Sequence, residues 1–404
     1  MFAPLRSVSA LTGRAQAGPL PRSVRRGAAL TLVFATVLAT GAATGLLVEP
    51  GRNAARLPAR SVSGTADRAA VARAAARAMA EGKSGSEAAE EVVSRSGDRW
   101  SAVYSAHEYK GVQQALDGEY VGVGLWVRSG PAGRIEAARV QHGSPADLAG
   151  IASGDRLRTI DGEPITGQPV TEVVSRLRGH ESDTSAAAAG TPVVLGLERG
   201  GRTWQETLHR TRLATEAVTA DRSAASGTTR IKVESFTRGA GDQVRRAVRE
   251  APANDGILLD LRGNSGGLVS EAVTVASAFL HGGLVATYGV QGEQRALYAQ
   301  RGGDTGSPLV VLVDGGTMSA AELLTGALQD RGRAVVVGSR TFGKGAVQMP
   351  SELPDGSVAE LTVGHYRTPA GRSVDGRGIT PDLTVRSGAV ERARTVLSGL
   401  GGGA

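Results

Sequence analysis

The residues best suited to covalent chemistry are a serine and a lysine, each placed after a predicted strand. Ser319 follows the apolar run SPLVVLVD and the Gly315–Gly316 turn, and it opens the predicted helix SAAELLTGALQ. A hydroxyl there lies near unpaired backbone N–H groups and the positive end of the helix dipole, which suits a developing oxyanion. Serine is also among the best N-cap residues. Ser319 alone therefore leaves both a nucleophile and a helix cap open.

Lysine is rare in this chain. Of the 46 basic residues only four, at positions 83, 110, 232 and 344, are lysine. Lys344 lies between two glycines in TFGKGAVQ, at the end of another predicted strand. A desolvated lysine amine can lose its proton and act as a general base, whereas a guanidinium stays charged. Such a base can activate a serine, so the pattern favours a serine–lysine pair, with a solvent-exposed turn lysine as the alternative.

Two further features fit a hydrolytic site. Gln348 follows Lys344 by four residues and could hold its amine by a hydrogen bond. The glycine-rich turn RGNSGG follows the strand ILLDL, and its backbone N–H groups predict half of an oxyanion hole at Gly266 and Gly267, with Ala320 as the other half. A phosphate-binding loop is the weaker alternative, because neither a Walker lysine nor Rossmann spacing is present.

The elements that must position these residues alternate between strand and helix from about Thr229 onward. Short, fully apolar strands such as DGILLDL and SPLVVLVD are typical of a buried parallel sheet, whose functional groups lie at strand ends. The preceding part, from Tyr120, has short strands separated by glycine turns and predicts a small barrel or sandwich. Helices are predicted between Asp67 and Gly97.

The excess positive charge is confined to the beginning of the chain. The formal net charge is +7, but after residue 60 there are 38 basic and 38 acidic residues. A nucleic-acid binder would carry a basic face on its folded domains, so no nucleic-acid partner is predicted.

An uncharged run, Gly27–Val48, is long enough to cross a bilayer as a helix. Arg22, Arg25 and Arg26 precede it, so the positive-inside rule puts the N-terminus in the cytoplasm and the rest of the chain outside. The predicted localisation is therefore membrane-anchored with an extracytoplasmic catalytic part. A cleaved signal peptide, which would give a secreted protein, stays open.

Cysteine is absent, and the six histidines show no ligand spacing. The sequence therefore excludes a disulfide framework and a thiolate nucleophile, and it predicts neither a metal site nor a cofactor.

Four stretches resemble the carboxyl-terminal processing, or tail-specific, serine peptidases of family S41: ILLDLRGNSGG, TMSAAEL, TFGKGAVQ and HYRTPAGRSVDGRGITPD. The intervals of 25 residues from Ser319 to Lys344 and of 4 from Lys344 to Gln348 also match that family. The resemblance implies that Ser319 is the nucleophile, Lys344 the general base and Gln348 its orienting partner. Glu322 and Asp330 would be supporting groups.

The β-rich segment resembles a PDZ domain, on the stretches VGVGLWV and GSPADLAGIASGDRLRTIDGEPI. Such domains add an extended C-terminus as a strand and hold its carboxylate on backbone N–H groups. The resemblance assigns this carboxylate-binding loop to Gly122, Val123, Gly124 and Leu125. The implied partners are protein or peptide substrates with free C-termini.

Together these features predict a multidomain α/β protein with a ClpP/crotonase-like α/β peptidase core, an inserted β-rich PDZ domain and an N-terminal transmembrane helix. The predicted division is a cytoplasmic N-terminus (1–26), a transmembrane helix or signal segment (27–48), a linker (49–66), a helical region (67–118), the PDZ domain (119–212), the peptidase domain (213–387) and a helical tail (388–404).

The predicted function is that of a serine endopeptidase cleaving extracytoplasmic proteins near their C-termini. Its terminal helical segments would suit a homo-oligomer. Two departures from the family favour an alternative: Asp314 replaces the usual asparagine, and Met318 replaces a small residue. An acid close to the site would raise the lysine pKa and oppose activation. The alternative is a catalytically silent PDZ scaffold that binds protein C-termini.

Overall fold

The computed structural model describes residues 65–179, 188–253, 255–290 and 293–401. The predicted transmembrane segment at 27–48 lies outside these residues. Within the described ranges, no helix has the length and apolar character needed to span a bilayer. The predicted domain boundaries stay predictions. The described residues form three units along the chain.

The first unit is a helical hairpin followed by a short strand and a third helix. Its elements are α1 (Arg68–Ala80), α2 (Gly85–Ser96), β1 (Ala102–Tyr104) and α3 (Ala106–Leu116). Serines cap two of the helices: Ser84 Oγ accepts a hydrogen bond from Glu87 N, and Ser105 Oγ accepts one from Glu108 N. Buried alanine and valine side chains of α1 and α2 pack against Leu353 and Leu361 of a later hairpin.

The second unit is the β-rich part. Its elements are β2 (Glu119–Gly122), β3 (Leu125–Ser129), β4 (Ile135–Val140), α4 (Pro145–Leu148), β5 (Arg156–Ile160), β6 (Glu163–Pro164), α5 (Val170–Arg178), β7 (Pro192–Arg199), β8 (Arg202–His209) and β9 (Thr211–Ala214). The main sheet has the order β3-β4-β5-β7-β8, so β3 is an edge strand. Alternate residues of β7, Val193, Leu195 and Leu197, point into the core, as the two-residue period of a strand requires.

The third unit is built on a six-stranded sheet of order β10-β11-β12-β15-β16-β19. The pairs from β11 to β19 are parallel, and only β10 runs antiparallel. Its elements are β10 (Val218–Ser223), β11 (Thr228–Val233), α6 (Ala240–Glu250), β12 (Gly256–Asp260), α7 (Val269–Phe279), β15 (Leu309–Val313), α8 (Ala320–Asp330), β16 (Val335–Gly338), β19 (Leu383–Thr384) and α9 (Ala389–Gly399).

Helices cover both faces of this sheet, which is why its central strands are apolar throughout. In β12, Ile257 and Leu259 pack into the core with α6, α7 and α8, whereas Leu258 faces the opposite side with Leu397 of α9. Every residue of β12 and β15 is buried. The predicted buried parallel strands are therefore confirmed, and their carboxyl ends meet at one edge of the sheet.

A second, antiparallel sheet adjoins this edge. It contains β13 (Leu284–Val290), β14 (Glu293–Tyr298), β17 (Ala346–Glu352), β18 (Val358–Arg367) and β1, with β18 pairing to β1, β13 and β17. β17 and β18 pair as an antiparallel hairpin. The β13–β14 hairpin was not predicted, because β14 is mostly exposed and lacks the apolar alternation that indicates a strand.

Candidate active site

Ser319 lies at the sharp turn between β15 and α8. Its backbone has φ 55° and ψ −117°, and it is one of three non-glycine residues with positive φ in the described part of the chain. A side chain in this conformation costs on the order of 1–3 kcal/mol, and such strain persists only where the surroundings hold it in place. Glu322 and Tyr366 supply much of that restraint.

The Glu322 carboxylate joins the serine turn to the lysine loop. It is fully buried, and its Oε2 accepts hydrogen bonds from Ser319 N at 2.9 Å and Lys344 N at 2.8 Å. Its Oε1 accepts from Gly343 N at 2.7 Å and Thr341 Oγ1 at 2.5 Å. Burial raises the pKa of Glu322, while these four hydrogen bonds act in the opposite direction. One side chain thus fixes two main-chain segments.

Tyr366 on β18 makes a second link between the same segments. Its side chain is buried, and its hydroxyl lies 2.6 Å from Ser319 O and 2.5 Å from Lys344 O. Burial raises the pKa of Tyr366 well above its usual range, so the hydroxyl stays protonated and donates to these carbonyls. Ser319 and Lys344 are therefore brought together through their main chains at both their N–H and their C=O groups.

Replacing Glu322 by glutamine tests this link. In E322Q one oxygen becomes an NH₂ group, which faces two donors and leaves them without an acceptor. We expect the free energy of unfolding to fall by about 2–3 kcal/mol, the cost of unsatisfied buried polar groups, together with a loss of any catalysis that uses Ser319 and Lys344. Denaturant unfolding monitored by circular dichroism measures the change.

Glu271 provides a matched control. It also follows a helix start and accepts two backbone N–H groups, from Gly239 at 3.0 Å and Gly241 at 2.8 Å, but it is only partly buried. E271Q should therefore cost less than E322Q and leave activity intact. Equal losses of stability and activity in both variants would mean that Glu322 has no special relation to the site.

The Lys344 side chain is partly buried and lies under an aromatic ring. Its Nζ is 5.5 Å from the centroid of Trp100. Burial lowers the pKa of Lys344, and the charge of Glu360 on β18 opposes that shift. Among the described residues, no hydrogen bond joins Ser319 Oγ to Lys344 Nζ. The structure thus shows a desolvated amine close to the serine segment but not yet engaged with the hydroxyl.

Gln348 lies in β17 directly after a register shift in its pairing with β18. Its Nε2 donates a hydrogen bond to the carbonyl oxygen of Trp100. The amide is therefore fixed by the segment between α2 and β1. Its role as the orienting partner of Lys344 stays a prediction.

The three backbone N–H groups predicted to form the oxyanion hole differ in whether they already donate a hydrogen bond. Gly266 N donates to Asn264 Oδ1 at 2.8 Å, whereas the N–H groups of Gly267 and Ala320 have no partner within the described residues. Gly266 lies against the serine: a Cβ added to it would be 3.0 Å from Ser319 Cβ. Gly267 and Ala320 are therefore the available donors in this conformation, and Gly266 allows the close approach.

Asp314 lies at the turn after β15 and is hydrogen-bonded to backbone N–H groups. Its Oδ1 accepts hydrogen bonds from Gly263 N and Gly316 N, both at 2.9 Å, so the carboxylate holds two neighbouring turns together. The acid whose charge acts on Lys344 is Glu360. The expectation that Asp314 opposes lysine activation stays a prediction. Met318 is buried.

A buried ion pair supports the turn that follows β12. Asp260 is fully buried and binds Arg230 Nη2 at 2.7 Å and Arg262 Nη2 at 2.6 Å. Burial disfavours its ionisation, but hydrogen bonds from Arg262 and Arg230 outweigh that effect and lower the pKa of Asp260. Asp330, by contrast, lies at the far end of α8 and binds Ala370 N at 2.8 Å, so it supports the fold away from Ser319.

The predicted carboxylate-binding loop joins β2 to the edge strand β3. The carbonyls of Val123 and Gly124 accept hydrogen bonds from Ala146 N and Gln141 N, whereas the N–H groups of Val123 and Gly124 have no partner in the described ranges. Gly124 has φ +81° and approaches so closely that an added Cβ would lie 2.2 Å from Ser144 Cβ. The loop thus presents donors beside an open strand edge. Peptide binding there stays a prediction.

A serine and a lysine fixed side by side at the edge of an α/β sheet are typical of hydrolases that attack with serine. Sequence comparison identifies the family within this class. Residues 227–385 match peptidase family S41, and residues 136–184 match a PDZ domain.

Relatives of similar sequence are named as carboxyl-terminal-processing proteases. A carboxyl-terminal-processing protease of Synechocystis sp. is 34% identical over 309 residues, covering 74% of this chain and 70% of the relative. The chloroplastic carboxyl-terminal-processing peptidase 3 of Arabidopsis thaliana is 33% identical, covering 74% of this chain and 60% of the relative. The protein belongs to peptidase family S41. The predicted family is confirmed, and its homologues are proteases.

The fold is also that of a solved structure. A Bacteroides fragilis protein assigned to the S41 proteases superposes with a TM-score of 0.50 at 17% identity, covering 75% of this chain and 87% of that one. The predicted mixed α/β fold with a PDZ domain is therefore confirmed. The chain spans about three-fifths of the length of the Arabidopsis relative.

Proposed function

We propose that the protein is a serine endopeptidase that cleaves extracytoplasmic proteins near their C-termini. The observation that carries the proposal is the double link between Ser319 and Lys344, made by Glu322 at their N–H groups and by Tyr366 at their carbonyls. A serine and a lysine that share two buried anchors are positioned as a unit.

In the proposed reaction Lys344 Nζ, in its neutral form, takes the proton from Ser319 Oγ as this oxygen attacks the scissile carbonyl carbon. The N–H groups of Gly267 and Ala320 stabilise the resulting oxyanion. The tetrahedral intermediate collapses, the C–N bond breaks, and Lys344 returns the proton to the leaving amine. Water then hydrolyses the acyl-enzyme with Lys344 again as base. The amine must first move within hydrogen-bond distance of the hydroxyl.

The substrate tail would bind the β-rich domain. An extended C-terminus can pair with edge strand β3, and its carboxylate can accept hydrogen bonds from the N–H groups of Val123 and Gly124. We further propose that residues 27–48 anchor the chain, so that both domains face the outside of the membrane.

The test uses the full-length chain and a peptide with an apolar C-terminus, in free-acid and C-terminally amidated forms. Mass spectrometry should show cleavage of the free acid and slower cleavage of the amide. Equal rates would exclude tail recognition. Absence of cleavage for both forms would contradict the peptidase.

A silent scaffold is the second candidate, favoured by the absence of a Ser319–Lys344 side-chain hydrogen bond among the described residues. A serine-reactive phosphonylating probe separates the two functions. Labelling at Ser319 supports the peptidase, and retained tail binding without labelling supports the scaffold.

A further inference from the structure

Trp100 lies on the short segment between α2 and β1, far from the catalytic residues in sequence but adjacent to two of them in space. Its ring centroid is 5.5 Å from Lys344 Nζ. Its carbonyl oxygen accepts the hydrogen bond from Gln348 Nε2. One residue therefore contacts both the predicted base and the predicted partner of that base.

The tryptophan itself is held firmly. Its indole N–H donates to Asp375 Oδ1 at 3.1 Å, and its ring packs against the Phe342 ring with centroids 5.9 Å apart. The preceding turn is closed by Asp98, which accepts hydrogen bonds from Trp100 N at 3.0 Å and Ser101 Oγ at 2.7 Å. These contacts leave the ring little freedom to turn away from Lys344.

We propose that Trp100 is a positioning residue of the catalytic set: its ring shields the Lys344 amine from water, and its carbonyl fixes the Gln348 side chain. The segment between α2 and β1 would thus complete the active site. The catalytic consequence rests on the proposed function, whereas the shielding of the amine can be measured without it.

The aromatic ring has two opposed effects on the amine. A cation near a ring face is attracted by about 0.5–1 kcal/mol at an exposed site, and 5.5 Å is close to the 6 Å limit of that attraction. Loss of hydration disfavours the charged form by far more, up to several pKa units for buried groups. Since burial is the main cause of the lowered pKa of Lys344, shielding outweighs attraction.

Charged groups near the amine and around the tryptophan must be included in any pH dependence. Glu360 on β18 raises the pKa of Lys344. Asp375 binds the indole and lies 3.6 Å from Arg99 Nη2 and 3.7 Å from His365 Nε2. Opening the site to water in a variant would rehydrate the ammonium and also screen Glu360. Rehydration is the larger effect, so the pKa of Lys344 should rise.

The first readout is the pH profile of kcat/KM for W100A, W100F and the unaltered chain. In W100A the acidic limb of the profile should move to higher pH, because Lys344 stays protonated up to a higher pH. At pH 7 kcat/KM should fall about tenfold or more, and a tenfold fall corresponds to about 1.36 kcal/mol of barrier. W100F keeps the apolar cover and should lie close to the unaltered profile. Superimposable W100A and unaltered profiles would overturn the inference.

The second readout is direct. The chain has only four lysines, so lysine-selective isotope labelling of the full-length protein gives few NMR signals, and K344R assigns the one of interest. W100A should raise the titration midpoint of Lys344. W204A is the matched control, because Trp204 also lies 5.5 Å from a cationic group, Arg199 Cζ, but in the β-rich domain. It should leave that midpoint unchanged.

The two readouts separate the possible failures. An unchanged Lys344 midpoint in W100A, with or without loss of activity, would mean that Trp100 only supports the fold and would overturn the inference. If W100A raises the titration midpoint of Lys344 but peptide cleavage does not depend on Ser319, the shielding is supported and the proposed peptidase mechanism is contradicted. If W100A fails to fold, W100L decides, because leucine keeps an apolar side chain but removes the ring that covers the amine: a raised midpoint supports the shielding, and an unchanged midpoint contradicts it.

Discussion

Replacing Lys344 with arginine should abolish peptide cleavage, with kcat/KM falling by about 10³-fold or more. The guanidinium is similar in charge and reach, but it does not lose its proton in proteins and cannot take one from Ser319 Oγ. Raising the pH should therefore not restore activity. Cleavage of the free-acid peptide between pH 6 and pH 10 measures the effect.

The control for this variant is K110R, since Lys110 is exposed on α3. It should retain full activity.

A third variant, K344M, keeps the apolar stem of the side chain and removes the amine. The lowered pKa of Lys344 means that the folded state disfavours the ammonium form. The free energy of unfolding should therefore rise as the pH rises from the pKa of Lys344 in the folded state to its pKa in the unfolded state. K344M should thus be inactive yet at least as stable at neutral pH. Substantial cleavage by K344R at any pH would rule out Lys344 as the base.

Replacing Ser319 with alanine should reduce cleavage about 10⁴-fold or more, because the acyl-enzyme can no longer form. The fold should be unaffected, since Glu322 and Tyr366 contact only the main chain of Ser319. Peptide cleavage and thermal unfolding, measured on the same preparation, test both statements.

Replacing Ser319 with glycine separates the loss of the nucleophile from the effect of backbone strain on stability. Ser319 has φ 55°, a conformation that glycine adopts without penalty, so S319G should be equally inactive but more stable than S319A by about 1 kcal/mol. The matched control is S270A, a serine in the first turn of α7. It should be fully active. If S319A still cleaves the peptide, the nucleophile lies elsewhere.

The parts of the fold that could be predicted are those whose residues obey a local rule. β12 and β15 are apolar in every position because helices cover both sheet faces, and this run is visible in the sequence. β14 escaped prediction because its side chains are mostly exposed and it lies at the edge of its sheet, where it pairs with β13. Local pattern carries no information about such partners.

The site shows the same division. Ser319 and Lys344 were predicted from a helix start and from the scarcity of lysine. Glu322 stands three residues after Ser319, as in a capping box, but its bonds to Gly343 and Lys344 connect segments 21 and 22 residues away. Tyr366 and Trp100 reach the site from β18 and from the segment before β1. Tyr366 stands in a stretch that resembles the family, but no local pattern connects either residue with Ser319 or Lys344.

The restraints that Glu322 and Tyr366 place on Ser319 and Lys344 act on amide and carbonyl groups, which every amino acid possesses. These four hydrogen bonds can therefore form whatever side chains stand at the two positions. Inactive variants at Ser319 or Lys344 should therefore still bind a substrate that they can no longer cleave. Such variants would serve as traps with which to recover natural substrates.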